Sequence, residues 1–123
     1  MNAEEEINKR AEGMTDKDIG ETIGKEKKAE EMAKESGFLR QYWKDIKTSF
    51  ALLKDWYMGN YKKIPFRMVA SIAVAMLYLV SPLDVVPDWL PFGGLLDDAL
   101  VLAAVFTMSR RDLDEYLAWA SRK

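Results

Sequence analysis

Residues 68–80 read MVASIAVAMLYLV, thirteen positions without a charge, in which Ser71 and Tyr78 carry the only side-chain hydroxyls. Ile64-Pro65 stands just upstream, and proline is preorganised for the first position of a helix. The spacing predicts a helix that is apolar on every side, and such a helix must be covered on every side, by protein or by lipid. At 1.5 Å per residue it is about 20 to 24 Å long, against about 30 Å of hydrocarbon in a bilayer. Buried core, short tilted segment and re-entrant hairpin all fit that length. A second apolar run, about Leu95 to Met108, has the same shortfall and carries Asp97 and Asp98 at its beginning. Ser71 and Ala75 on the first helix, and Ala99 and Ala103 on the second, are small residues four apart that allow close approach. The expected unit is an apolar helical hairpin in an all-α chain.

Charge is arranged around this hairpin. From Met68 through Ser109 there is no Lys or Arg, a run of 42 residues closed by Lys62, Lys63 and Arg67 on one side and by Arg110 and Arg111 on the other. Basic flanks around an apolar hairpin fit the positive-inside rule with both termini in the cytoplasm. A soluble helical pair whose buried residues exclude charge fits as well. The whole chain has 123 residues and a net charge of −2, which suits one domain and argues against bulk attraction to nucleic acid. Mean hydropathy, −0.23, averages a polar N-terminal third with an apolar remainder. Histidine and cysteine are absent. That removes disulfides, zinc and iron–sulfur ligation, Ser-His-Asp and Cys-His nucleophiles and an imidazole pH switch, and leaves only hard cations on oxygen as a metal option.

Residues 1–36 are rich in Glu, Lys and Ala, with Gly13, Gly20 and Gly24 interrupting. This composition predicts an acidic, mobile or partly helical arm that buries little, a solvated leader or a tail that binds a protein partner. Thr15 and Asp16 are placed to cap a helix running to about Lys34. Residues 37–123 are the expected helical domain. Within it, Leu39, Tyr42, Trp43, Ile46, Phe50, Leu53 and Tyr57 form one stripe of a helix over Phe38 to Met58. Arg40, Lys44, Lys47 and Lys54 form a basic face. With Trp43 they are the candidates for contact with anionic lipid; a helix packed on a protein core would show the same pattern. A last helix, Arg110 to Lys123, has Leu113, Tyr116, Leu117 and Ala120 on its stripe, with Trp119 alongside, and Ser109 with Asp112 as a capping-box pair.

The connector between the apolar helices is the most distinctive stretch. Ser81 can cap a short turn with Pro82 at its first position, Pro87 limits that turn, and Asp88 can cap another. Asp97 and Asp98 suit the first turn of the following helix through its dipole. Tyr78, Ser81, Pro82, Asp84, Pro87, Asp88, Pro91, Gly94, Asp97 and Asp98 meet every fixed position of the pattern Tyr-x-x-Ser-Pro-x-Asp-x-x-Pro-Asp-x-x-Pro-x-x-Gly-x-x-Asp-Asp. In this the chain closely resembles the YkvA-like family, a small bacterial and archaeal domain of unknown function. Gly93 departs from the large apolar residue usual there. The resemblance covers roughly Pro65 to Val105 and implies membrane association, since the family is generally described so and a similar domain occurs in some membrane-embedded ubiquitin ligases of animals. It implies no reaction.

Two roles are open for the acidic residues. As local caps they need no ion. Gathered together, Asp84, Asp88, Asp97 and Asp98 would make a carboxylate site for Mg²⁺, Mn²⁺ or Ca²⁺, or a proton-handling group, with Ser71 and Tyr78 donating hydrogen bonds to them. The sequence reading is a small non-catalytic protein of the prokaryotic cytoplasmic membrane, without a resident cofactor, its hairpin embedded from the cytoplasmic side. The alternatives are a cytoplasmic helical adaptor or homodimer that uses the hairpin as core or interface, and a carboxylate-metal protein.

Overall fold

In a computed structural model, residues 3–35, 37–80 and 98–122 are described. They form helices α1 (Ala3–Glu12), α2 (Asp16–Ile23), α3 (Glu26–Glu35), α4 (Gly37–Arg40), α5 (Trp43–Tyr57), α6 (Phe66–Val80), α7 (Asp98–Met108) and α8 (Arg110–Ser121), with no strand among the described residues. The all-α expectation is met.

Helix α6 is the centre. Val69 through Met76 and Tyr78 through Val80 are all buried, and α1, α2, α3, α5 and α7 pack against it. Pro65 lies one residue outside the helix, where its carbonyl accepts the N–H groups of Met68 and Val69 at 3.0 and 3.2 Å. The Ser71 hydroxyl donates to the Arg67 carbonyl at 2.9 Å, inside its own helix. The side chains of Asp84, Asp88, Asp97 and Asp98, toward which the sequence suggested it donates, lie outside the described residues. Helix α7 packs against α6, and of the small residues expected at the hairpin contact Ser71 and Ala75 are buried while Ala103 is half-buried.

The expectation that residues 1–36 bury little is corrected. Ile7, Ala11, Ile19, Thr22, Ala29 and Ala33 are buried, and α1 packs on α6 more extensively than any other helix does. Two isoleucines and several alanines suffice, because short side chains let these helices lie close against α6, whose apolar surface needs a cover on that side. The helix expected from Thr15 to Lys34 is two. Its start is as anticipated: the Thr15 hydroxyl accepts the Asp18 N–H at 3.2 Å and the Asp18 carboxylate accepts the Thr15 N–H at 3.0 Å, a reciprocal capping box. At Gly24 and Lys25 the helix tightens, Lys25 N–H reaching only the Thr22 carbonyl, and the chain turns so that both α2 and α3 meet α6. Gly20 leaves room for the Tyr57 ring, which a Cβ there would meet at 3.0 Å.

The middle of the stripe on the aromatic helix is buried in the bundle, with Tyr42 and Trp43 half-buried and Tyr57 exposed. Leu39, Ile46, Phe50 and Leu53 are buried, joined by Leu52; the helix is broken between Arg40 and Trp43, giving the short α4 before α5. The C-terminal helix begins where expected but without the capping box. The Ser109 hydroxyl donates to the Val105 carbonyl at 2.6 Å, and Ser109 has no side-chain cap bond. The ladder runs almost unbroken from α7 into α8, so the hydroxyl finds its acceptor one turn back. Arg110 then ties α8 to α5 through a two-pronged hydrogen bond to Asp45, 3.0 and 2.9 Å.

Candidate functional site

Of the motif positions, Tyr78 is described with its side chain and Asp98 as the first residue of α7. Ser81, Pro82, Asp84, Pro87, Asp88, Pro91, Gly94 and Asp97 lie outside the described residues. Tyr78 is 1 % exposed, and the Arg10 guanidinium from α1 stands over its ring at 5.1 Å. A cation at this distance from a buried ring face is attracted by the ring quadrupole. Beside the pair lies a cavity of about 340 Å³, lined by Lys9 and Arg10 of α1, Gly13 and Met14 of the turn after it, Asp18 of α2, and Val74 and Leu77 of α6. The start of the motif is thus held from a segment that carries no part of it. Arg10 had no signal in the sequence, because a basic residue in a charge-rich segment looks like any solvated one. Among the described residues, no group of three or more His, Cys, Asp or Glu side chains is placed to hold a metal ion.

The basic face of α5 is distributed among several contacts. Lys54 forms an ion pair with Glu26 of α3. Arg40 donates to the Lys34 carbonyl at 3.1 Å, and the Lys47 ammonium lies 5.9 Å from the Trp43 ring centre. Lys44 is exposed and Trp43 half-buried. Trp43 borders a hollow shared with Glu30, Ala33, Lys34 and Arg40. The structure brings Trp43 and Arg40 together at this hollow with Glu30 of α3, and Lys47 stands by Trp43.

At the opposite end of α5, aromatic rings gather around an acid. The Tyr116 hydroxyl donates to Asp55 at 2.5 Å, and Asp55 also accepts from the Asn60 amide at 3.3 Å. Burial, followed by the bond to Asp55 and its charge, pushes the Tyr116 hydroxyl above the ordinary tyrosine range. Tyr61 moves the same way, through burial first and then the charges of Glu115 and Asp112. Tyr61 packs edge-on against Tyr116 with centroids 5.2 Å apart, and against Trp119 at 5.0 Å.

Residues 68–104 match the family described as "Protein of unknown function (DUF1232)". An "Uncharacterized membrane protein YkvA" of Bacillus subtilis (strain 168) is 36 % identical over 74 residues, which cover 60 % of this chain and 70 % of that relative. The chain belongs to the YkvA-like family. The matched residues contain α6 from Met68 on, the connector and the first part of α7, so the family's shared segment is the apolar hairpin. No solved structure matches. The YkvA-like family is one of unknown function, and no catalytic role is attached to it. Among the described residues no helix is long and apolar enough to cross a membrane.

Proposed function

We propose that the chain is a non-catalytic helical protein held at the cytoplasmic surface of a prokaryotic membrane, with its apolar hairpin serving as the core of the bundle. The observation that carries the mode of attachment is the enclosure of α6. A helix of mean composition this apolar would suit lipid, yet α1, α2, α3, α5 and α7 already cover it, and Val69 to Met76 expose almost nothing. Lipid contact at α6 would require those helices to leave. The membrane itself is suggested by the relative's printed description and by the cations of α5 and of the segment that follows it. The absence of imidazole and thiol side chains supports the non-catalytic part of the reading.

Fractionation separates this reading from its rivals. Surface attachment predicts recovery in the membrane pellet at low salt and release by high salt or alkaline carbonate, since charge contacts at a leaflet are screened by ions. Retention until detergent is added is the behaviour of an embedded hairpin and overturns the surface mode. A protein found in the high-speed supernatant from the start is the helical adaptor instead.

A further inference from the structure

Between α5 and α6 the chain reads YMGNYKKIPFR, residues 57–67. Its backbone is pinned. Gly59 has φ of 84° and gives its N–H to the Trp56 carbonyl at 3.1 Å, while the Asn60 N–H reaches the Asp55 carbonyl at 2.8 Å. These are the two bonds of a Schellman ending, and its left-handed position favours a residue without Cβ. Tyr61 and Ile64 are buried and fasten the underside to the bundle.

The upper side is different. Met58 is 72 % exposed, Tyr57 50 % and Phe66 37 %, and these are the exposed large apolar residues of the described chain. Lys62, Lys63 and Arg67 are exposed beside them. The Lys62 ammonium lies 5.1 Å from the centre of the Trp56 ring, which in turn packs on Phe66 at 5.4 Å. No Asp or Glu occurs from Trp56 through Leu83. Of the acids at its underside, Asp55 accepts from Tyr116 and Asn60, Glu115, which borders a hollow with Lys63, accepts from Arg111 at 3.2 Å, and Asp112 acts with Glu115 on the buried Tyr61 hydroxyl. A rigid connection between two helices needs only Gly59 and the anchors. Tyr57 also stands against Gly20 of α2 and Phe66 against Trp56, so Met58, 72 % exposed, is the side chain surplus to that need, and exposed apolar side chains grouped with cations mark interaction surfaces.

We propose that this turn is the part of the protein that enters an anionic lipid leaflet, with Met58, Tyr57 and Phe66 at the headgroup–acyl boundary and Lys62, Lys63 and Arg67 toward the phosphates. The proposal rests on the surface-attachment reading above and names its face. Charge complementarity selects the occupant. A leaflet presents a plane of phosphates over an apolar interior, and the turn presents exposed apolar side chains close in sequence to three exposed cations, with no carboxylate from Trp56 through Leu83 to repel that plane.

The chain has no cysteine, so Met58→Cys carries an environment-sensitive nitrobenzoxadiazole label alone, and Lys44→Cys provides the same probe on α5. Each is mixed with phosphatidylcholine vesicles with or without phosphatidylglycerol, and flotation reports binding independently of the label. The expected result is a blue-shifted, brighter emission at position 58 only when phosphatidylglycerol is present, with aqueous emission kept at position 44. Lys62→Glu/Lys63→Glu should lower the partition coefficient by at least about 25-fold, at about fivefold per cation, with unchanged thermal unfolding. If the chain floats with vesicles while position 58 stays aqueous, or if the charge reversal leaves partitioning unchanged, this face is wrong and surface attachment survives. If the chain floats with neither vesicle, surface attachment fails and the proposal falls with it.

Discussion

Helix α6 and the turn that leads into it are adjacent in sequence, both apolar, and opposite in surroundings. In α6, Ile72, Ala73 and Leu79 are fully buried among other helices. In the turn, Met58 is mostly exposed, with Lys62 and Lys63 close by in sequence. The difference teaches that apolarity measures the gain from leaving water but does not name the cover. α6 is covered because α1 to α3 return to it. Nothing within the described chain covers Met58, and its neighbours are cations that fit a charged plane better than a protein core.

The strongest way to break this contrast is Ile72→Ala. A core position predicts a loss of about 2 to 5 kcal/mol in urea unfolding; a loss under about 0.5 kcal/mol is what surface positions show and would mean that α6 is not the core. Tyr116→Phe probes the anchor beneath the turn. Removing a hydrogen bond to a carboxylate should cost about 1.5 to 3 kcal/mol. Its pH dependence is distinctive, because a tyrosine whose folded pKa lies above the unfolded value of about 10 contributes fully below that pH and loses its contribution as pH rises through the folded value. Wild-type stability should therefore fall above about pH 10, and the fall should be shallower in Tyr116→Phe, with Tyr61→Phe adding to the effect. A pH-independent difference between wild type and Tyr116→Phe would mean that neither burial nor the Asp55 bond raises the Tyr116 hydroxyl.

A smaller effect is expected when charge is reversed on the other basic surface. Lys44→Glu/Lys47→Glu should weaken vesicle partitioning by at most about fivefold, less than reversal at Lys62 and Lys63, because α5 already has Lys54 paired with Glu26 of α3 and carries no exposed Met58 beside its cations. A larger loss from the α5 pair would move the membrane face to α5. The smallest expected change is the stability of Met58→Ser, within about 0.5 kcal/mol of wild type as for other exposed positions. A greater loss by thermal unfolding would show that Met58 is packed and the turn is not a free surface.

Much of the helical pattern was legible in residue spacing. The stripe through Ile46, Phe50 and Leu53, the Thr15 cap and the start near Pro65 are local, and local signals suffice for them. The broken helix at Gly24, the bond from Ser109 back to Val105 and the burial of Ile7 and Ile19 were not legible, since each depends on a partner distant in sequence or on the neighbouring helix end. The same holds for the candidate surfaces. Arg10 meets Tyr78 across 68 positions of sequence, with no periodicity to announce it. The turn did carry a signal, the acid-free run from Trp56 to Leu83, which is visible only when acids are counted as carefully as the missing cations.

By itself the sequence determined the all-α class, the apolar hairpin and membership in the YkvA-like family, because periodicity, capping and a dense motif are properties of neighbouring residues. Only the tertiary structure decided what covers the hairpin. A helix apolar on every side demands cover without specifying protein or lipid, and the answer came from charge-rich N-terminal helices whose few isoleucines and alanines fall on one side of each helix and close over α6.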